Sequence, residues 1–459
     1  MKFLFTIVIV LLLTELNGQV LFNNIYEKPF WNYGDAVIER QDGNYLILGS
    51  SRNPSDTDFV MNILLIDSIG NLIWDKYFEN TNGGNFLIET SDNNFLAVGT
   101  VTTSTTNPHL VKFDSDGNVI WEQTYETPTW GDGYSVGETI NNNYYFVGSD
   151  LGSTILFVTD QQGNLLWSRT YSLAYIRSIT QTYDGGFILT GNTEVVNGDY
   201  DIILLKVDSN GDQLWTKLYG GEGEDDARSV TQLPDGGYIV AGEFDTQIID
   251  GYPFTYLIRT NSIGDTIWTK KHLIGESQHI RKLNNGNGFI LSSSSIGDIN
   301  LFIYITKLDL SGNIVWSRGF YPGYLYSVGN NVTETSDGGF LLTGSTSNWS
   351  SESDIRLIKL DSLGNFVLSI DDYKKESSLI SVFPNPARNE INFQLNSTIG
   401  NQIQQIEIFS SLGQKLKKIT SLEKTNLKVN IESFEDGLYF YKITTVKNQI
   451  ITGKFLVKK

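Results

Sequence analysis

Asp67-Ser68-Ile69-Gly70-Asn71-Leu72-Ile73-Trp74 is the first of seven copies of one motif. Gly-Asn or Gly-Asp follows an acidic residue or Asn, and a Trp stands three residues further on in six of the copies. The other copies occupy residues 114–121, 160–167, 208–215, 261–268, 309–316 and 361–368, the last with Leu368 in place of Trp. Their mean spacing is 49 residues. A fixed period of this length is typical of a repeat protein in which each repeat forms a four-stranded propeller blade.

A second motif, Asp-Gly-Gly or Asp-Gly-Asn followed by an aromatic residue, recurs in step with the first. Its copies begin at Asp42, Asp184, Asp235 and Asp337, and degenerate copies with Asn in place of Gly lie at 92–95 and 141–144. Such dipeptides between apolar residues favour tight hairpins, because Gly reaches positive φ without strain and Asn tolerates it. Each repeat is therefore predicted to contain a tight hairpin.

Between the two motifs lies a short strand with apolar residues on both faces, as at 201–208 and 354–361. A strand of this kind needs a covering layer on each side, which stacked blades provide. We therefore predict an all-β fold with a seven-bladed β-propeller over residues 19–370, and we expect the Trp side chains to pack between blades. Residues 19–26 repeat the Trp strand with Phe22 in the Trp position. This spare strand predicts closure across the seam, although the sequence leaves open which end of the repeats supplies it.

The N-terminal residues 1–18 have the pattern of a secretory signal peptide. Lys2 precedes an apolar run from Phe3 to Leu13, and Gly18 precedes an expected cleavage at Gln19. No later stretch approaches the length of ~18 apolar residues that a membrane-spanning helix needs. Cysteine is absent, which excludes disulfides, thiolate metal sites and a lipid anchor at the processing site. The sequence thus predicts an exported protein with no membrane span.

Charge divides the chain in two. The net charge is −19, yet residues from Ser377 onward carry 11 basic and 6 acidic side chains, a balance of +5, which leaves −24 on the rest. An acidic propeller argues against nucleic acid and anionic membrane as partners. Residues 371–379 have the composition of a linker, and the spacing of short strands over 380–459 predicts a small immunoglobulin-like β-sandwich.

The tail resembles the type A C-terminal sorting domain of the type IX secretion system of Bacteroidetes. The matching residues are Pro384, Asn385, Pro386, Gly413, Gly437, Tyr439 and Lys454. The resemblance implies export across the inner membrane by the signal peptide, then recognition by the type IX machinery, and a secreted or cell-surface location. The repeats resemble the Asp-Gly-Gly-Tyr propeller-like repeats of such cargo, a resemblance that implies no particular activity.

Candidate chemistry competes with structural explanations at every position. Ser135 lies in a Gly-x-Ser-x-Gly pattern, but that pattern indicates a hydrolase only on a strand-to-helix turn, and here it falls on a repeat strand. Asp114 begins a sequence like a calcium loop that then lacks the required Gly and Glu. The acidic stretch containing Glu222, Glu224, Asp225 and Asp226 is a weak calcium candidate, and a solvated acidic loop explains it better.

The three histidines, His109, His272 and His279, lack metal-binding spacing, although His272 and His279 flank a turn across which they would be able to meet. Asp-Ser/Thr-apolar triplets at Ser68, Thr266 and Ser362 resemble O-glycosylation acceptors of Bacteroidetes, and the repeat turn explains them without a sugar. No cofactor is predicted, with calcium as the single alternative.

Two functional hypotheses remain open from the sequence. The first is an exported non-enzymatic propeller that binds an extracellular carbohydrate or protein through loops on a rigid scaffold. The second is a propeller hydrolase or lyase acting on an extracellular polymer with paired carboxylates. A symmetric channel lined by small or apolar residues would argue against catalysis, whereas polar residues that converge from several blades on one pocket, with at least one carboxylate in a perturbed environment, would indicate an enzyme site.

Overall fold

The computed structural model describes residues 20–28, 31–52, 59–150, 152–172, 174–196, 198–244, 254–272, 274–295, 302–320, 326–347, 353–366, 380–395, 403–410, 415–420, 426–445 and 450–459. Two compact units divide the chain, Met1–Val367 and Leu368–Lys459. All regular secondary structure in the described ranges is β-strand.

The first unit opens with strand β1 (Phe22–Tyr26) and continues as four-stranded antiparallel sheets. Sheet 1 comprises β2 (Asn32–Glu39), β3 (Tyr45–Arg52), β4 (Phe59–Ile66) and β5 (Leu72–Phe78). Sheet 2 comprises β6 (Gly83–Glu89), β7 (Phe95–Thr102), β8 (Thr106–Phe113) and β9 (Val119–Thr124). Sheet 3 comprises β10 (Gly133–Glu138), β11 (Tyr144–Asp150), β12 (Ser153–Thr159) and β13 (Leu165–Ser172).

The same order continues along the chain. Sheet 4 comprises β14 (Tyr175–Gln181), β15 (Phe187–Val196), β16 (Asp199–Val207) and β17 (Gln213–Tyr219). Sheet 5 comprises β18 (Asp226–Gln232), β19 (Tyr238–Phe244), β20 (Phe254–Thr260) and β21 (Thr266–His272). Sheet 6 comprises β22 (Glu276–Lys282), β23 (Phe289–Ser295), β24 (Phe302–Leu308) and β25 (Ile314–Phe320). Sheet 7 comprises β26 (Tyr326–Glu334), β27 (Phe340–Ser347), β28 (Ser353–Leu360) and β1.

Sheet 7 draws its strands from both ends of the unit. Strand β1 pairs with β28 in antiparallel register, with Phe22 opposite Lys359 and Tyr26 opposite Ile355. The spare strand that the sequence predicted is therefore β1, and it supplies the outermost strand of the last sheet. Chain segments more than 300 residues apart thus form one hairpin-like ladder.

The hairpins predicted from the second motif are confirmed. Gly43 and Gly185 have φ of 78° and 81°, and the Asn residues that replace them, Asn93 and Asn142, have φ of 60° and 63°. The Asp of the motif has a further role that the sequence analysis missed. In sheet 7 the buried Lys359 donates to Asp337 at 2.7 Å and to Thr335 at 2.6 Å, and equivalent pairs join Lys112 to Asp92 and Lys206 to Asp184.

The Trp of the first motif packs on the turn glycine of the following sheet. A Cβ added to Gly264 would lie 2.8 Å from the Trp215 ring, and Gly163 and Trp121 stand in the same relation at the same distance. At the seam, Phe22 takes the place of Trp, because a Cβ on Gly70 would lie 2.9 Å from its ring. The prediction that Trp packs between blades is confirmed, and the contact explains why the turn position admits only Gly.

Replacing Gly264 by Ala is expected to lower the free energy of unfolding by about 2–3 kcal/mol, since it adds a steric clash to the strain of a left-handed alanine. Gly185→Ala is the matched control. Its φ is also near +80°, but no atom lies within 4 Å of the new methyl group, so only about 1 kcal/mol of backbone strain is expected. Urea unfolding of both variants measures the difference, and equal losses would contradict the Trp–Gly contact.

The second unit contains two sheets. The first is formed by β29 (Ile380–Phe383), β30 (Glu390–Leu395) and β33 (Asn426–Asn430). The second is formed by β31 (Ile403–Ser410), β32 (Lys415–Ile419), β34 (Gly437–Thr445) and β35 (Ile450–Val457). Both contribute to one buried core, in which Phe393 of the first sheet contacts Tyr441 of the second with ring centroids 5.1 Å apart. The segment before Pro384 is an edge strand, as predicted.

Candidate functional site

The first strand of every sheet in the first unit contains a β-bulge at the equivalent position. The pairing with the second strand skips one residue in each case, and the skipped residues are Asp35, Asn85, Tyr134, Arg177, Arg228, Gln278 and Asn330. A bulge turns a side chain away from the direction that regular pleating would give it. We call this set the bulge ring.

All members of the bulge ring line one cavity of about 530 Å³, together with neighbouring residues of the same first strands. The ring is symmetric in position but not in chemistry, because it combines an acid, three amides, a phenol and two guanidinium groups. A cavity of this volume lies within the range of small-molecule sites, and polar groups that converge from several elements are typical of recognition. The cavity is therefore not a symmetric channel lined by small or apolar residues, the arrangement that would argue against catalysis.

Amide members of the ring are held by hydrogen bonds to the next sheet. The Asn85 side chain donates to the Gly133 carbonyl at 2.7 Å, and Asn330 donates to the Gly34 carbonyl at 2.9 Å. The second bond joins sheet 7 to sheet 1. Because backbone atoms accept these bonds, the side chains are positioned before any ligand arrives.

The two arginines of the ring lie beside carboxylates. Arg177 Nε is 2.8 Å from Asp226, and Arg228 Nη2 is 3.2 Å from Glu243 and 3.5 Å from Glu276. Burial raises the pKa of Glu243 to about 7, although the charge of Arg228 opposes this shift. The positive charge of the pair is therefore largely neutralised by protein groups.

Asp35 is the acid of the ring. Burial raises its pKa to about 7, and the hydrogen bonds from Ser50, including the hydroxyl at 3.0 Å, offset this only in part. The Asn330 amide contacts the same carboxyl group at 3.4 Å. Asp35 thus changes its charge near neutral pH while facing the cavity.

Asp35→Asn is expected to change how stability depends on pH. The folded pKa lies above the unfolded value of about 3.9, so folded Asp35 keeps its proton between about pH 4 and 7 while the unfolded chain releases it, and stability falls as pH rises through that window. The Asn variant lacks this loss. Its advantage should be near zero at pH 4 and reach about 1–3 kcal/mol at pH 8, after allowance for water in the cavity.

Urea unfolding at pH 4.5, 6 and 8 measures this advantage. The other titrating groups, Glu243 among them, are common to both proteins and cancel in the comparison. Asp116→Asn, which alters an exposed turn residue, should run parallel to the wild type across the same range. Parallel curves for Asp35→Asn as well would contradict the buried, protonated state of Asp35.

Across the cavity, Phe86 of sheet 2 contacts His279 of sheet 6, with ring centroids 6.0 Å apart. Burial, and then the positive charge of Arg281, lower the pKa of His279 to about 3, so the ring is neutral at physiological pH. Its Nδ1 lies 3.2 Å from the Val332 carbonyl. The contact between the rings of Phe86 and His279 joins two sheets that are not neighbours and narrows the cavity.

The serine and calcium-loop candidates occupy ordinary repeat positions. Ser135 lines the cavity on β10, and the next element is strand β11, not a helix. A nucleophile elbow is therefore absent at this serine. Asp114 Oδ1 accepts hydrogen bonds from the backbone N–H groups of Asp116 and Asn118 at 2.9 and 2.8 Å, so it stabilises the turn of the first motif.

The acidic stretch separates into different environments. Glu222 and Glu224 are exposed, whereas Asp225 is buried and accepts a hydrogen bond from the Gly221 N–H at 2.9 Å. Asp226 contacts the arginines of the bulge ring. Within the described ranges no group of three or more His, Asp or Glu side chains is placed to hold a metal ion. The calcium site stays an untested prediction.

The three histidines have separate partners. His109 Nδ1 lies 2.9 Å from Thr124 Oγ1, and His272 Nε2 lies 2.8 Å from the Gly312 carbonyl, so His272 and His279 form no joint site. The triplet residues Ser68 and Ser362 are exposed in repeat turns, and Thr266 is exposed at the start of β21. Because these residues are exposed, their O-glycosylation remains a prediction.

The described sorting-motif residues lie in or beside strands of the second unit. Asn385 Oδ1 accepts a hydrogen bond from the Leu456 N–H at 2.9 Å, and the Tyr439 hydroxyl donates to the Glu435 carbonyl at the same distance. Pro384 and Pro386 are exposed, Gly437 begins β34 and Lys454 belongs to β35. Gly413, the linker, and residues 1–18 with the expected cleavage at Gln19 lie outside the described residues. The described part contains no helix long and apolar enough to cross a membrane.

Four-stranded sheets that follow one another around a polar cavity, with the first strand completing the last sheet, define the first unit as a β-propeller. The family model for "Secretion system C-terminal sorting domain" matches residues 381–458, which confirms the sorting domain predicted from the tail and implies handling by the type IX machinery. The model described as "Outer membrane protein assembly factor BamB" matches residues 62–295, more than half of the chain, and the chain belongs to that family of repeat propellers.

Solved structures with low sequence identity are also similar to the chain. A protein of unknown function from Bacteroides caccae is 14% identical, covers 60% of this chain and 93% of its own, and has a TM-score of 0.42. The Dos1 propeller is 11% identical, with coverages of 74% and 96% and a TM-score of 0.41. The Pan2 WD40 domain of Neurospora crassa is 9% identical, with coverages of 73% and 93% and a TM-score of 0.45. A search of curated proteins found no match.

Proposed function

We propose that this protein is an exported, non-enzymatic, seven-bladed propeller that binds an extracellular ligand in its central cavity. The observation that carries the proposal is the bulge ring, in which every blade presents a polar side chain, of five residue types in all, at the equivalent position of one cavity. The bulges place seven polar side chains in the wall of one cavity, where a single ligand would be able to contact several of them. The seven sheets are taken as the seven blades, closed by β1.

We further propose the route that brings this propeller to its ligand. Residues 1–18 act as the signal peptide, residues 371–379 link the modules, and the immunoglobulin-like tail over 380–459 delivers the propeller to the cell surface or the medium. The matched sorting domain supports this route. The propeller family's description names an outer-membrane assembly factor, but the sorting domain favours a ligand outside the cell, either carbohydrate or protein.

Binding is favoured over catalysis because two of the three acids that line the cavity are hydrogen-bonded to a neighbouring blade, Glu89 to the Gln41 amide at 3.3 Å and Glu138 to Ser91. Glycosidic cleavage requires two carboxyl groups about 5–9.5 Å apart. The acids that line the cavity are Asp35, Glu89 and Glu138. Glu138 accepts hydrogen bonds from the backbone N–H and hydroxyl of Ser91 at 2.7 and 2.8 Å, which identifies it as a link between blades.

A hydrolase or lyase acting on an extracellular polymer is the second candidate. One observation favours it, namely that the pKa of Asp35 is raised to about 7 inside the cavity, as general acids require. Release of new chain ends from a polysaccharide panel, lost in Asp35→Asn, would establish this candidate and displace the first.

A binding screen of the mature chain, residues 19–459, against polysaccharides, glycans and peptides tests the proposal. Ligands found by the screen should lose affinity in Arg177→Gln, whose side chain is 41% exposed at the cavity. Arg169→Gln is the matched control, because Arg169 is 45% exposed on the outermost strand of blade 3. Ligands that bind both variants and the wild type equally would place recognition elsewhere and overturn the proposal.

A further inference from the structure

Arg281 is a third arginine of the cavity, and it differs from the two in the bulge ring. It lies on β22, three residues beyond the bulge residue Gln278, and its Nη1 donates to Thr333 Oγ1 at 3.0 Å. Arg177 and Arg228 each have carboxylate partners within 4 Å. Among the described residues, Arg281 forms no ion pair.

Within the described part of the chain, Arg281 has a hydroxyl partner and no carboxylate partner. Its pKa is lowered by burial, and no neighbouring carboxylate counteracts this. His279, two residues earlier, is neutral, and the cavity wall also includes the hydroxyl-bearing Thr180 and Thr231. A guanidinium group keeps its charge under these conditions, and a partly buried charge without an ionic partner is costly to the fold. Proteins retain such a charge where a ligand supplies its partner.

We propose that Arg281 binds the anionic group of the ligand that enters the cavity, and that this group is a carboxylate or sulfate on a small hydroxylated molecule such as an acidic sugar. The inference rests on the proposed function and names the ligand class. The guanidinium fork matches both oxyanions, since it donates two parallel hydrogen bonds. The bulge ring lies three residues away along the strand, about 10 Å, and binds the uncharged part of a ligand of that length.

The test uses the mature chain and three probes, glucuronate, inorganic sulfate and glucose, at constant ionic strength set with sodium chloride. Glucuronate and sulfate are expected to raise the melting temperature and glucose is not. In Arg281→Gln the affinity for both anions should fall about tenfold or more, the effect of one lost charge-assisted contact. Arg281→Lys should keep part of the response, and Arg169→Gln all of it.

The free protein gives a second readout. Because Arg281→Gln removes a partly buried charge that has no ionic partner among the described residues, its melting temperature without ligand should equal or exceed that of the wild type. A clear decrease would show that the arginine serves the fold and would overturn the inference. The inference is also overturned if neither anion binds, or if both anions bind Arg281→Gln as tightly as they bind the wild type.

The remaining outcomes separate the two proposals and the two anion sources. Response to glucuronate but not sulfate identifies a carboxylated sugar as the ligand class, whereas the reverse identifies a sulfate group, and either supports Arg281. If uncharged glycans or peptides bind in a manner that Arg177→Gln abolishes and Arg281→Gln leaves unchanged, the anion inference fails and the proposed function stands. If nothing binds the cavity in either experiment, both fail.

Discussion

Removing residues 19–26 from the mature chain is expected to lower the free energy of unfolding by about 4–5 kcal/mol, the value of burying two large aromatic side chains. Phe22 and Tyr26 are 6% and 9% exposed, and the Tyr26 hydroxyl donates to the Gly70 carbonyl of the first blade at 2.9 Å. The deletion also leaves β28 as an open edge, which promotes pairing with other molecules. Urea unfolding and gel filtration measure the two effects.

A point substitution distinguishes the seam contact from general damage by the deletion. Phe22→Ser should reproduce about half of the loss, whereas Val20→Ser, which alters a residue that is 44% exposed just before β1, should change little. An unchanged melting temperature after the deletion would refute closure of the ring by β1. A different number of blades in an experimental structure would refute the seven-bladed assignment.

Fusion of residues 380–459 to an unrelated folded protein that carries a signal peptide is expected to send that protein to the surface or medium of a type IX-competent bacterium. The matched sorting domain lies within this segment, and its core is built from its own strands. The charge of the tail is opposite to that of the rest of the chain. Immunoblots of medium, surface and periplasmic fractions measure the distribution.

The reciprocal experiment truncates the native chain after Ser378. The propeller is expected to accumulate in the periplasm with an unchanged melting temperature, because the two compact units have separate cores. In the fusion experiment, a tail with Asn385→Ala loses the hydrogen bond from the Leu456 N–H. The amount of this fusion that is exported is expected to lie between the amounts with the unchanged tail and with no tail. Normal amounts of truncated protein in the medium, or a propeller that does not fold alone, would refute the two-module interpretation.

The repeat could be predicted from the sequence because its chemistry is local. A turn glycine that packs against a ring and a hairpin residue at positive φ each require a specific residue type, so Gly70 and its equivalents recur in all seven copies and Trp74 and its equivalents in six. The strand that closes the ring was recognisable for the same reason, since Phe22 occupies a Trp position. The tail could be predicted because its motif residues bind backbone groups at fixed positions, as Asn385 does.

The candidate site could not be predicted because its residues differ from blade to blade. A bulge residue must be polar and face the cavity, but Asp35, Tyr134 and Arg177 share no residue type, so a search for repeated letters misses them. The aligned first strands do contain a signal. A small residue precedes the polar one in most copies, as in Gly34-Asp35, Gly84-Asn85 and Ala227-Arg228. The acidic stretch from Glu222 to Asp226 was predicted as a weak calcium site instead, although its carboxylates lie in different environments.

The pairing of β1 with β28 also fixes the order of events during synthesis. Phe22 cannot pair with Lys359 until nearly the whole propeller has been synthesised. Strand β1 therefore remains unpaired while the strands of the other sheets are synthesised. Blades whose strands are consecutive in the chain form from local contacts, whereas closure requires a contact of very long sequence separation and is therefore the slow step. Until β28 is available, the propeller is not closed, and β1 has no strand with which to pair.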